Sequence, residues 1–123
     1  MKIKEYRDLE VWQKAMDLVK YTYEIIKKLP NEERYALADQ MRRSAISVPS
    51  NIAEGFERNG TKEYIQFLYI ANGSRAELMT QMQICKMLNY VEDIEKVELI
   101  SDEVGKMING LIRKLKSKLT TTP

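Results

Sequence analysis

Apolar residues recur along this chain in steps of three and four, the spacing at which one face of an α-helix repeats. Leu9, Trp12, Met16, Val19, Tyr23 and Ile26 make the first such run, with Asp8 as a candidate N-cap and Pro30 as a stop signal. A second run starts near Asn31 or Glu32 and reaches Arg58, carrying Ala38, Met41, Ala45, Val48, Ile52 and Phe56. The third follows Asn59-Gly60 with Thr61 as cap, and places Tyr64, Leu68, Ala71, Leu78, Met82 and Cys85 on one face. "LNYVED" interrupts the pattern around Asn89 to Glu92, and a fourth run takes Val97, Ile100, Val104, Met107, Leu111 and Leu115. Helices of roughly 20 to 28 residues joined by short breaks must run antiparallel to their neighbours. The expected fold is therefore all-α, an antiparallel up-down four-helix bundle. It fills residues 1–123 as a single domain, with the ends at 1–7 and 119–123 expected to fray.

The second run contains the one irregular stretch, "RRSAISVPSNIAEGFERNG" at 42–60. Proline removes a backbone donor and disfavours helical geometry at Val48, which argues for a break. The apolar steps nevertheless pass through Pro49 without losing register. One helix with a proline kink is the expectation, the hydroxyls of Ser44 and Ser47 helping to satisfy carbonyls that lack an amide partner.

A polar stripe, Gln40, Ser44, Ser47, Asn51, Glu54 and Arg58, runs about a quarter turn from the apolar one, on the flank of the core. "IANGSRAEL" in the third run supplies a counterpart in Gly73, Ser74 and Glu77, with Gly73 expected to let the helices approach closely. Together these predict a partly buried polar seam of Gln40, Ser47, Asn51, Glu54, Ser74 and Glu77 between the second and third helices. Glu54 and Arg58 have the spacing of an intrahelical ion pair. Two carboxylates, Glu54 and Glu77, facing each other across a bundle would be the starting point for a metal or acid–base site.

Composition argues against that chemistry. The chain is 44% hydrophobic and 31% charged, with 5 glycines and 3 prolines, as suits a helical globular protein. It has no histidine, which excludes Ser-His-Asp triads, Cys-His pairs, imidazole acid–base work and the Glu-x-x-His pattern of di-metal bundles. The single cysteine, Cys85, falls between Ile84 and Leu88 and reads as a buried thiol. No catalytic residue, metal or cofactor is expected. No apolar run reaches the roughly 20 residues of a membrane span. "MKIKEYRDLE" lacks the apolar core of a signal peptide, so a cytoplasmic protein without membrane contact is expected.

Net charge is only +2, but Lys106 to Lys118 holds Lys106, Arg113, Lys114, Lys116 and Lys118 and no acid. Such a run suits the negative end of a helix dipole and also suits phosphate. With Arg42, Arg43, Arg58 and Lys62, the residues Arg113, Lys114, Lys116 and Lys118 form the candidate nucleic-acid-binding set.

"YRDLEVWQKA", "LPNEERYALADQMRRSAISVPSNIAEGFER" and "FLYIANGSRAEL" resemble the successive signatures of the 23S ribosomal RNA intervening-sequence protein family, over nearly the whole chain from about Tyr6. Tyr6 stands where Phe is common, and Arg75 replaces the usual aliphatic residue after Gly-Ser. The resemblance implies a small bacterial four-helix bundle that forms a ring, expected to be a homopentamer, with no enzymatic activity attached. The chain is also similar to the accessory variability protein of diversity-generating retroelements, a basic ring that binds nucleic acid and a reverse transcriptase. The expected function is thus a non-catalytic homo-oligomer binding RNA or DNA through basic surface residues. The alternative is a protein-interaction or scaffolding module, for example for a reverse transcriptase, without direct nucleic-acid contact.

Overall fold

The computed structural model describes residues 3–120. Four helices carry the fold: α1 (Glu10–Ile26), α2 (Leu37–Glu57), α3 (Thr61–Met87) and α4 (Glu95–Thr120). Short 3-10 turns at Tyr6–Asp8 and Asn31–Glu33 precede α1 and α2, and no strand occurs among the described residues. Each helix packs on its sequence neighbours and α4 closes back on α1, while the diagonal pairs stay apart. This is the up-down bundle that the periodicity predicts. Of the ends expected to fray, 1–7 and 119–123, residues 1–2 and 121–123 lie outside the described residues, whereas Glu5 caps the Tyr6–Asp8 turn and α4 continues to Thr120.

Local chemistry moves several boundaries. Asp8 does not cap α1; its carboxylate accepts the amides of Lys4 and Glu5 at 3.1 and 3.2 Å and closes the Tyr6–Asp8 turn in a capping box with Glu5. Leu9 is the residue before α1 instead. The second helix begins at Leu37 rather than at Asn31 or Glu32, because Ala36 has non-helical backbone angles (φ −118°, ψ −100°). Glu33 spans the gap, taking the Leu37 amide at 3.4 Å and the Tyr90 hydroxyl at 2.7 Å. Thr61 opens α3 as its first residue, with Gly60 ahead of it as N-cap. After Met87, Asn89 takes a left-handed conformation at φ 62°, which reverses the chain toward α4.

Helix α2 runs unbroken through Pro49, with Ala38, Met41, Ala45, Val48 and Ile52 all buried, as its apolar register predicts. The hydroxyls of Ser44 and Ser47 do not turn back to carbonyls of their own helix; both reach across to α3.

On α1 the core face differs from the expected stripe by one residue. Val11, Ala15, Leu18, Thr22 and Ile25 are buried, whereas Met16 and Tyr23 are exposed. Ile26 of the expected stripe is also buried, and Leu9, Trp12 and Val19 pack partly buried against the core. One residue is about 100° of helix, so Met16 and Tyr23 turn outward. Buried Thr22 is satisfied by its own helix, donating to the Leu18 carbonyl at 2.7 Å.

The core divides into two clusters. One joins Leu18, Ile25, Met41, Leu78, Met82, Cys85 and Ile94; the other joins Val11, Val48, Ile52, Leu68, Val104, Ile108 and Leu115. Between them α3 runs from Asn72 to Glu77 without a large apolar residue, and sends polar groups to both neighbouring helices. Arg75 donates to Asn72 Oδ1 at 2.9 Å and to the Ser101 hydroxyl of α4 at 3.1 Å. Its guanidinium lies against Gly105, where an added Cβ would stand 2.7 Å from Arg75 Cζ. Gly105 is therefore the place where an arginine crosses α4.

Candidate functional site

On the α2 side of the same waist the polar seam is built as a ladder. Ser47 Oγ and Ser74 Oγ are 2.8 Å apart, and Asn51 Nδ2 donates to the carbonyl and hydroxyl oxygens of Ser47, both at 2.8 Å. One turn away Ser44 Oγ donates to Glu77 Oε1 at 3.4 Å. Gln81 lies on the same flank of α3, 9% exposed, with its Oε1 lacking a partner among the described residues. The seam thus joins α2 to α3 within one chain. Gln40 and Glu54 are exposed at its margins.

Close approach of these helices occurs at Gly55, not at Gly73. A Cβ on Gly55 would lie 2.8 Å from Phe67 Cβ and 3.3 Å from the Tyr64 carbonyl oxygen, while one on Gly73 would meet nothing within 4 Å. Phe56 and Tyr64 pack edge to face beside this contact, with ring centroids 6.1 Å apart.

The carboxylates Glu54 and Glu77 do not face each other. Glu77 meets α2 at Ser44, ten residues or about 15 Å of helical rise from Glu54. Glu54 is instead bound to Arg58 at 2.9 Å. Among the described residues no group of three or more acidic or thiol side chains is arranged to hold a metal. Cys85 is buried, its Sγ 3.5 Å from Met41 Sδ, and burial with the nearby charge of Glu33 pushes its thiol up to about 11.

The basic residues fall into two regions at opposite ends of the bundle. Arg42 and Arg58 are sixteen residues, or about 24 Å of rise, apart on α2. Two of the set are neutralised locally. Arg43 pairs with Asp39 at 2.9 Å, and Arg58 pairs with Glu54 and Glu63 while stacking 4.9 Å over Phe67. At the end where α3 begins and α4 finishes, Lys62, Arg113, Lys114, Lys116 and Lys118 are exposed. The Lys116 ammonium stands 5.3 Å over the ring of Tyr69, which is 47% exposed. No acid follows Glu103 in α4. Tyr69 was not among the sequence candidates, although its seven-residue spacing from Lys62 puts both on one face of α3.

At the other end, the turn after Pro30 folds the start of α2 against the end of α1. The groove there, about 380 Å³, is lined by Tyr23, Lys27, Asn31, Arg34 and Arg42 with Ile26, Leu29, Pro30 and Ala38. A third concavity, about 300 Å³, runs between α1 and α2 and is almost wholly apolar, formed by Tyr6, Trp12, Met16, Val19, Ile46, Pro49, Ser50 and Ala53. Met16 and Ile46 are 43% and 45% exposed there. A mixed-charge cleft of about 410 Å³ between α1 and the start of α4 holds Glu24, Lys28, Glu92, Asp93 and Lys96.

No helix among the described residues is long and apolar enough to cross a membrane. A search of curated proteins finds no match. A solved structure from Bacteroides thetaiotaomicron, a protein of unknown function from the S23 ribosomal protein family, superposes with a TM-score of 0.72 at 24% identity, covering 83% of this chain and 97% of that one. At that identity the likeness establishes the bundle. The 23S rRNA-intervening sequence protein family matches residues 7–110, which include the serine ladder, Pro49, the Gly55 contact and the Arg75 crossing, and the chain belongs to that family.

Proposed function

We propose that this protein is a non-catalytic, self-associating bundle that binds RNA through the basic end formed by the start of α3 and the close of α4. The observation carrying this reading is the acid-free stretch of α4 after Glu103, where Arg113, Lys114 and Lys116 are exposed beside the Lys116–Tyr69 contact and Lys62. Cations interleaved with an exposed ring suit a phosphodiester chain with accessible bases, since phosphates take the charge and a base can stack on the ring. Self-association multiplies the patch, so a net charge of +2 per chain is sufficient for useful affinity.

The test is fluorescence anisotropy with single-stranded and hairpin RNA across a salt series. Wild-type affinity falls steeply with salt, and Lys114→Gln/Lys116→Gln lowers the slope of log K against log salt by about 1.4, at about 0.7 per lost contact to a single strand. Salt-insensitive binding, or none at low salt, would remove this reading.

The apolar groove between α1 and α2 favours a second reading, a scaffold that grips another protein such as a reverse transcriptase. A complex that survives both high salt and nuclease, and is lost on Met16→Glu, would favour that reading over the first.

A further inference from the structure

We infer that the groove at the α1–α2 turn is a second, separate binding site for single-stranded nucleic acid. Lys27, Arg34 and Arg42 read the phosphate backbone there, and Tyr35 offers a base-stacking platform. This inference rests on the nucleic-acid reading above, but on different residues at the far end of the bundle.

Lys27 is the C-cap residue of α1, Arg34 follows the Asn31–Glu33 turn, and Arg42 lies in the second turn of α2. The chain reversal at Pro30 draws all three into the walls of one groove. No acidic residue lines it, in contrast to the cleft beside α4, where Glu24, Glu92 and Asp93 offset Lys28 and Lys96. None of Lys27, Arg34 and Arg42 has an ion-pair partner among the described residues. Of the neighbouring acids, Asp39 is paired with Arg43 and Glu33 accepts from Tyr90 and the Leu37 amide, while Glu24 and Glu32 lie outside the groove's lining. The groove therefore presents three cations without an ion-pair partner among the described residues, and like charges held together favour an anion that bridges them.

The rim selects among anions. Tyr35 does not line the groove, but it is 82% exposed and the guanidinium of Arg34, which does, stands 5.3 Å over its ring, so an exposed tyrosine is tied to a cation of the groove wall. A large ring left in water does not help folding, but a ring with phosphate-binding groups beside it matches a nucleotide with an unpaired base. Asn31 and Tyr23 add hydrogen-bonding groups to the walls. A paired helix hides its base faces, so the occupant is a single strand.

The experiment uses the full chain and a short fluorescein-labelled single-stranded RNA. Two groove variants, Lys27→Gln/Arg34→Gln/Arg42→Gln and Tyr35→Ala, are compared with Lys114→Gln/Lys116→Gln. Circular dichroism and thermal melts verify the fold; Lys27, Arg34 and Tyr35 are exposed, so it should be retained. The groove triple should lower the salt slope by about 2, at about 0.7 per contact. Tyr35→Ala should weaken binding at least about fivefold while leaving the slope unchanged. The effects of the groove triple and the α4 pair should be independent.

Wild-type binding by both groove variants, with loss only in the α4 pair, would overturn this inference and leave the proposed function intact. No RNA binding by wild type at low salt would overturn both. If the groove triple weakens binding but Tyr35→Ala does not, and polyglutamate competes as well as RNA, the groove takes acidic protein segments and the nucleic-acid assignment falls.

Discussion

Two glycines show how little residue identity alone says about a residue's role. Both lie inside helices, where glycine costs about 1 kcal/mol relative to alanine. At Gly55 the compensation is visible, because a Cβ would press on Phe67 Cβ and the Tyr64 carbonyl oxygen, atoms near or in the backbone that do not yield easily. At Gly73 a Cβ would meet open space. Gly55→Ala should therefore destabilise the bundle by about 1–2 kcal/mol, overpacking outweighing the propensity gain. Gly73→Ala should stabilise it by up to about 1 kcal/mol. Urea unfolding followed by circular dichroism gives both values, and equal signs would contradict the contact geometry. Tyr90 yields a second prediction at this scale. Its hydrogen bond to Glu33, together with partial burial, raises the phenol to about 12, and burial alone takes Tyr64 to about 12. The neutral form is the one the fold favours. The resulting stability is intact below pH 10, the ordinary phenol value, and fades as pH rises from there through 12. In a near-ultraviolet absorbance titration two of the 7 tyrosines should ionise late in the native protein. Tyr90→Phe should remove one of them.

At the scale of helices, the α2–α3 pair is held by two unlike devices, the tight steric contact at Gly55 and the hydroxyl ladder at Ser47. Ser47→Ala would strand Ser74 and remove one acceptor of Asn51 in a half-buried site, so about 1–2 kcal/mol of stability should be lost. Ser47→Ala/Ser74→Ala should cost less than the two single changes added together, because both cross-helix partners disappear at once. A double-mutant cycle by chemical denaturation measures this coupling, and strict additivity would mean that the ladder contributes nothing. These two helices were also the most legible in the sequence. The steps from Ala38 to Ile52 keep register through Pro49. From the polar stripe beside them Ser44 and Ser47 reach Glu77 and Ser74 on α3, while Gln40 and Glu54 stay exposed and Asn51 bonds its own helix. Helix α1 is legible only in part, for a physical reason: beside Ile26 its core face uses Ala15 and Thr22, one small and one polar. Of the larger residues one position along, Met16 and Tyr23 are exposed, while Trp12 and Val19 pack partly buried against the core and Ile26 is buried. Periodicity fixes a spacing, but size misleads about phase when two adjacent stripes are both apolar. The groove at the α1–α2 turn was not legible either. Lys27, Arg34 and Arg42 lie on three separate segments and meet only because the chain reverses at Pro30.

For the whole molecule, that displaced stripe becomes informative. Tyr6, Trp12, Met16, Val19 and Ile46, with Pro49, line an apolar trough that the chain leaves open, with Met16 and Ile46 exposed and Trp12 and Val19 packed at the core's edge. Pro49 contributes twice, since it keeps the apolar register of α2 and also presents a donor-free surface to the trough. The two basic regions lie at opposite ends of the bundle, and the trough runs along its flank between α1 and α2. Copies associating through the flank would leave both ends clear and repeat each basic region around an assembly. A charge placed in the trough should then dissociate the protein without unfolding it. Met16→Glu/Ile46→Glu should lower the mass seen by light scattering to that of one chain, with helix content and melting behaviour of a folded bundle retained. RNA affinity should fall with it, because linked patches lose their effective concentration when the copies separate. Wild-type protein that is already monomeric, or a variant that stays assembled, would exclude the trough as the contact between copies. A variant that dissociates yet binds RNA as tightly as wild type would show that a single bundle carries the full affinity.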